Sequence, residues 1–243
     1  MAVDCANGLL PERRLVDFVT IAFNNERVIA HQIRLVKKYL RDPHHYLIAD
    51  NSSEPAALER ICALCRQQGV SYLRLPPNPH MGRLASDSHG LAMNWVWEHF
   101  LRPRRADCFG FLDHDIYPIR ATSVMSRLQA QPFWGHLQER GERWYLWPGL
   151  CFFSRSAVEG KRLNFRPIPG LDTGGGNWPV LYADRAVSQF EFPPRELRTL
   201  REGDCIQADR YEILGDWLHT YNASGWMKVA PKEHLIDELL ARY

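Results

Sequence analysis

The sequence predicts an α/β sandwich, a mixed and mainly parallel sheet with helices on both faces. Three observations lead there. In the first half, short runs rich in β-branched and aromatic residues alternate with helical stripes. The runs are apolar nearly throughout, as in strands buried between two helical layers. Acids and amides gather directly after the runs, where the loops of such a sheet meet a ligand.

The elements follow in order. "LVDFVTIAF" is the first strand, and "ERVIAHQIRLVKKYL" repeats Ile29, Ile33, Val36 and Leu40 as one helical face. "HYLIAD" is the second strand. "EPAALERICALCRQQ" is the second helix, with Pro55 suited to its first turn. "VSYLRL", "LASDSHGLAMNWVWEHF" and "CFGFLD" supply the third strand, third helix and fourth strand. Strands separated by helices imply parallel pairing. After Ile119 the pattern loosens into short strands, "FWGHL", "WYLW" and "CFFS", then a helix "NWPVLYADRA" and a helical ending "KEHLIDELLARY". No repeat or clear linker interrupts the chain, so it is read as one domain over residues 1–243.

Composition limits the setting. A chain of 243 residues, 45% hydrophobic, has enough apolar mass for a substantial core. A net charge of +2 and short basic clusters such as Arg102, Arg104 and Arg105 argue against nucleic acid as a partner. No run approaches the roughly 20 apolar residues of a membrane helix, and no leader pattern opens the chain, so a cytoplasmic protein without an integral membrane segment is expected. Six scattered cysteines fit reduced thiols. "CALC" has metal or redox spacing, but Leu58, Ile61, Leu64 and Cys65 form one helical face, which favours packing. The oligomeric state is not readable.

The polar residues after the strands are the functional candidates: Asn24, Asn25 and Glu26, then Asp50, Asn51 and Ser52, then Asp113 and Asp115 in "FGFLDHDIYPI". On an extended strand, positions i and i+2 share a side, so Asp113 and Asp115 converge while His114 turns away. Two convergent carboxylates suit a hard divalent cation, Mn2+ or Mg2+, that shares ligands with substrate phosphate. They equally suit capping of a following turn over residues 116–120, and both readings stand on the motif alone.

The segments "VDFVTIAFNNE", "HYLIADNSSE" and "FGFLDHDIYPI", in that order and spacing, resemble the GT-A fold glycosyltransferases, particularly the family 2-like enzymes, over residues 15–226. The resemblance implies a Rossmann-like GT-A sandwich with a nucleotide-sugar half over about residues 15–120 and an acceptor half over about 121–230. It also implies a nucleotide-sugar donor, a metal at the donor's diphosphate, and transfer to the hydroxyl of a glycan or other acceptor. The implied donor-binding set is Asn24, Glu26, Asp50, Asn51, Arg83, His89 and Asp113, with Asp50 at the ribose or base. Asp113, Asp115 and the late histidine His219 are the implied metal ligands, and an imidazole favours manganese.

Two departures accompany the likeness. "NPHMGRLASDSHGLAMN" echoes the family's segment after the third strand through Asn78, Gly82 and Ala85 in an altered register, and the family's catalytic Glu-Asp pair is absent. "LDTGGGNW" stands in its place, which makes Asp172 the candidate base for an inverting transfer, with a turn-capping role as the competing reading. Trp144 and Trp147 in "WYLWPGLCFF" suit either sugar stacking or core packing. A nucleotidyltransferase of the same fold is a rival reading, although "AFNNERV" lacks the Gly-rich basic loop such enzymes place there. An inactive carbohydrate-binding relative is another, and a helical His-Asp phosphohydrolase a weaker third, since "CFGFL" reads as extended.

Overall fold

The computed structural model describes residues 15–80, 85–104, 106–200, 210–221 and 233–243. Strand β1 (Val16–Ala22) leads through helix α1 (Glu26–Tyr39) to β2 (His44–Asp50), and α2 (Pro55–Gln68) leads on to β3 (Ser71–Arg74). Helix α3 (Ala85–Val96), extended by a π turn at Trp97–Leu101, returns the chain to β4 (Cys108–Asp113). Then come β5 (Ile116–Pro118), α4 (Val124–Ala130), β6 (Phe133–Arg140), β7 (Arg143–Ser154) and the single-turn α5 (Arg155–Val158). Strands β8 (Arg195–Thr199), β9 (Arg210–Leu214) and β10 (Trp217–His219) precede α6 (Glu233–Leu240).

The main sheet runs β3-β2-β1-β4-β7-β6. Its first four strands are parallel, and β7 and β6 join antiparallel. The α/β class and mainly parallel sheet expected from the sequence are therefore present. Both faces of β1 are buried: Val19 and Ile21 pack in the core that holds Met93 and Phe111, Val16 and Phe18 in the core that holds Ile29 and Ile61. Local signals bound the helices. Asn25 caps α1 by accepting from the amides of Arg27 and Val28, Pro55 opens α2, and Gly69 closes it in the left-handed region at φ +62°. Leu58, Ile61 and Cys65 of α2 face inward, so the "CALC" segment packs as a helical face.

Three expectations differ. "WYLW" and "CFFS" belong to one strand, β7, because the interruption at Pro148 and Gly149 is absorbed by a bulge: Leu137 pairs with Leu146 and Gly135 with Cys151, so His136 alone faces residues 147–150. The segment after Asn177 forms a π turn, Trp178–Tyr182, in place of a longer helix. A second, antiparallel sheet, β5-β10-β9-β8, was not anticipated. Strand β8 is exposed along its length and β9 carries Glu212 within a buried run, so neither shows clean alternation. Helix α6 packs on this sheet, where Ile236 and Leu239 meet Leu35, Tyr117 and Leu218.

Candidate functional site

The strand order reverses at β1, with β2 reached on one side and β4 on the other. Such switch points open a crevice at the carboxyl ends of the strands. The loops after β1 and β2 are tied together there. Asn24 sits at φ +50°, a conformation asparagine tolerates, and its Oδ1 accepts from the amides of Ser53 (3.0 Å) and Glu54 (3.1 Å). Glu26 pairs with Arg60 at 2.8 Å. Asp50 is buried and accepts from the Ser52 amide at 2.9 Å and the Tyr72 hydroxyl at 3.0 Å. Asn51, also buried, donates to Ser88 Oγ on α3 at 3.2 Å. These four side chains are engaged in shaping the loops. Arg83 lies outside the described residues.

Strand β4 ends at Asp113, and His114 and Asp115 form a tight turn into β5. The two carboxylates therefore approach each other through a turn and not along an extended strand, and His114 is buried. A side chain on α1 fixes the turn. Gln32, fully buried, donates through Nε2 to the carbonyls of Asp113 and Ile116, both at 2.7 Å, while its Oε1 accepts from Thr20 (2.9 Å) and Tyr46 (2.7 Å). All of its hydrogen-bonding capacity toward the fold is used.

Around this turn the second sheet brings up a histidine and an acid. His219 pairs with Ile116 across one neighbouring strand and with Glu212 across the other. Its Nε2 lies 3.6 Å from Asp115 Oδ1, and its Nδ1 is 2.8 Å from Glu212 Oε1. Burial opposes a charged imidazole, but Asp115 and Glu212 outweigh it and hold the His219 pKa above its ordinary value. Burial likewise raises Glu212, yet His219, His136 and Tyr221 outweigh it and bring its carboxyl down to about 2. Arg195 pairs with the same carboxylate. On the other side of the turn, His89 Nε2 lies 3.2 Å from Asp113 Oδ1. Burial raises the Asp113 pKa, His89 pulls it back, and Asp115 raises it again.

Asp172 lies on the loop after α5, which packs on Tyr145 and on the first turn of α3. Thr173 donates to the Ser86 carbonyl at 3.1 Å, about one turn of α3 (~5.4 Å) before His89. Asp172 is exposed, and its Oδ1 accepts from the Thr173 amide at 2.7 Å. The glycines behind it serve this chain's own packing. Gly174 is left-handed at φ +86°, and a Cβ on Gly176 would come within 2.6 Å of the Asn164 carbonyl.

Among the described residues, no group of three His, Cys, Asp or Glu side chains forms a ready metal cage. Asp115 and His219 lie 3.6 Å apart, with Asp113 two positions before Asp115; these are donor types a divalent cation takes, but they do not close into such a group. Glu212 holds the ring through Nδ1, which turns Nε2 toward Asp115. Sequence reasoning missed Gln32 and Glu212. Gln32 lies three residues after Ile29 on the apolar stripe of α1, and Glu212 sits inside "YEIL"; a polar residue in a buried pattern was the available signal.

No family model matches the sequence, and no curated protein matches it. Solved structures do. The mannosyltransferase PcManGT from Pyrobaculum calidifontis, in complex with GDP-Man and Mn2+, matches at 14% identity and a TM-score of 0.51 over 75% of this chain and 55% of that one. S. aureus TarS 1-349 matches at 12% identity and a TM-score of 0.41, covering 62% of this chain and 50% of that one. The galactosyltransferase LgtC, in complex with donor and acceptor sugar analogs, matches at 13% identity and a TM-score of 0.41, covering 57% of each. The chain spans about half the length of these structures. At such identities the likeness to PcManGT establishes a shared fold.

Proposed function

We propose that the chain is a metal-dependent glycosyltransferase that moves a sugar from a nucleotide-diphosphate donor to an acceptor hydroxyl with inversion. The observation that supports this is the approach of His219 to Asp115, two residues past Asp113, at the crevice beside β1, on a fold shared with a mannosyltransferase. Residues 15–120 hold the donor and residues 121–230 the acceptor. Asn24, Glu26, Asp50 and Asn51 shape the nucleoside pocket, His89 faces the diphosphate, with Arg83, outside the described residues, kept as a candidate for the same group, and Asp113, Asp115 and His219 hold Mn2+ or Mg2+. The bound cation would neutralise charge on the departing diphosphate.

The chain's own residues do the rest. Asp172 takes the acceptor's proton as its oxygen bonds to the anomeric carbon, while the carbon–oxygen bond to the diphosphate breaks and its electron pair leaves with the phosphate. Gln32 and Glu212 act at one remove by holding the Asp113 turn and the His219 ring. No helix among the described residues is long and apolar enough to cross a membrane. The six scattered cysteines of the sequence fit reduced thiols in a cytoplasmic setting.

The test is a panel of nucleotide sugars incubated with the purified chain and a mixture of glycan acceptors, reading nucleotide release with manganese and with chelator. Manganese-dependent release of a nucleoside diphosphate is expected. Release of pyrophosphate from a nucleoside triphosphate and a sugar phosphate would assign the chain to nucleotidyl transfer instead, and turnover unchanged by chelator would remove the metal.

A further inference from the structure

We infer that strand β8 is a self-pairing edge: two copies of this chain join their second sheets through it, antiparallel about a two-fold axis at Leu197. The inference does not depend on the transfer reading above.

The register of β8 decides which of its backbone groups are spare. In the second sheet β8 is the last strand, and Arg195–Thr199 is exposed along its whole length. Alternate residues of an antiparallel strand bond to a given neighbour, and the phase is fixed here at one end. The Gly215 amide donates to the Pro194 carbonyl at 2.9 Å, one step beyond the pairing of Arg195 with Leu214. Glu196 and Arg198, opposite Ile213 and Tyr211, share that inward phase, so the amides and carbonyls of Arg195, Leu197 and Thr199 point away from β9. Among the described residues no strand meets them. An open row of this kind is a template for another strand.

The side chains select the occupant. Leu197 is 49% exposed, more than any other large apolar side chain among the described residues, and it stands at the middle of the open edge. Its neighbours are not the single-sign charges that keep edges apart, because the order Arg-Glu-Leu-Arg-Thr is complementary to itself when reversed about Leu197. In that register Leu197 exchanges backbone bonds with its own copy, and Arg195 exchanges them with Thr199 at each end. Every outward amide of both chains then finds a carbonyl. Glu196 faces Arg198 of the second copy in the closer type of pair, with Cα atoms about 4.5 Å apart. Within each chain Arg198 already donates to the Glu196 carboxylate at 2.8 and 2.9 Å, so the four charges alternate in sign around the axis.

Other registers lose this match. Moving the axis by one residue sets Glu196 on Glu196 or Arg198 on Arg198, and like charges directly opposite are destabilising. The Leu197 axis also pairs apolar with apolar on the other face. The product is one continuous sheet, β5-β10-β9-β8 running on into the β8 of the second copy. Such a pairing is isologous and closed, so it stops at a dimer. Because it is built on one short strand, the dimer is weak and concentration-dependent.

Sedimentation velocity of the full chain, from low micromolar to several hundred micromolar, reads the association. The parent is expected to pass from monomer to dimer across that range. Leu197→Pro removes an outward amide and no hydrogen bond within the chain, a change an edge strand accepts, and should keep the protein monomeric with an unaltered circular dichroism spectrum. Glu196→Arg and Arg198→Glu each place like charges across the axis and should each weaken the dimer at least about tenfold. Making both changes in one chain restores the pattern and should restore the dimer, and an equimolar mixture of the two single variants should form a mixed dimer. A parent that stays monomeric at every concentration overturns the inference, as does a dimer that survives Leu197→Pro or ignores the charge reversals. Should Leu197→Pro alter the spectrum, the charge variants decide alone: association lost in each and regained in neither the double variant nor the mixture overturns the inference as well.

Discussion

Replacing Gln32 by leucine should loosen the acidic turn while leaving the sheet in place. The amide of Gln32 is fully buried and makes two donor bonds, each of 2.7 Å, to the carbonyls of Asp113 and Ile116. Leucine removes both. The two hydroxyls on the other side lose an acceptor but stay paired with each other, since Thr20 Oγ1 and Tyr46 Oη are 3.2 Å apart. The loss therefore falls on the carbonyls. The Ile116 carbonyl belongs to a fully buried residue, whereas Asp113 is partly exposed and water can replace the lost donor there. At about 1–3 kcal/mol for the one buried carbonyl left unpaired, with some return from the apolar side chain, the net loss is roughly 1–3 kcal/mol. For a domain of this size that lowers Tm by roughly 2–12 °C.

Thermal melts followed by circular dichroism test the first half of that reasoning, and manganese titration of nucleotide binding tests the second. Metal half-saturation should rise at least about tenfold, since the turn that aligns Asp113 and Asp115 is no longer held. Gln32→Glu sharpens the test. Its carboxylate still accepts from Thr20 and Tyr46, but its other oxygen faces two carbonyls, so its folded pKa must lie above the ordinary carboxyl value. A group with a raised folded pKa binds its proton more tightly in the native state, so this variant should gain stability relative to Gln32→Leu as pH falls through that pKa. A full loss of Tm with unchanged metal half-saturation would show that Gln32 supports the core and not the site.

Three further outcomes are expected. Glu212→Gln keeps an acceptor for His219 Nδ1 but removes the charge that sustains it, and should weaken manganese binding about 10- to 100-fold by electron paramagnetic resonance titration; unchanged affinity would mean His219 does not ligate. Asp172→Asn should keep Mn2+–nucleotide affinity in calorimetry and lose about 10²–10⁴ in transfer rate; affinity falling in step with rate would make Asp172 a binding residue. Burial lowers His136 from 6.5 to about 4, so the unfolded chain binds more protons than the native one between those values and stability falls as pH drops. Replacing it in His136→Phe should remove about 3 kcal/mol of that acid sensitivity from the metal-free protein between pH 6.5 and 4, read by urea unfolding at each pH; identical profiles would refute the buried neutral imidazole.

Much of the fold was legible because its determinants are local. The stripe Ile29, Ile33, Val36 marks α1 whatever it packs against, and the apolar runs through Val19, Ile48 and Phe111 announce strands buried on both faces. Local order also brought the acids after β1, β2 and β4 to one edge, because parallel strands joined by helices end on the same side. The second sheet was not legible, for its strands are short and β8 lies wholly exposed.

Sequence by itself therefore determined the layered α/β architecture and the edge on which Asp50, Asp113 and Asp115 gather, since both follow from patterns within a few residues of chain. Only the tertiary structure decided which side chains serve those acids. Gln32 reaches the Asp113 turn across 81 positions of sequence, and the Asp115 carbonyl accepts from the amide and hydroxyl of Thr220 across 105. The pairing of His219 with Glu212 depends on the register of β9 against β10, and the bulge in β7 depends on its pairing with β6. Such partners are chosen by packing between distant segments, where a buried polar group must find a hydrogen bond or be expelled, and no periodicity in the chain encodes which one it finds.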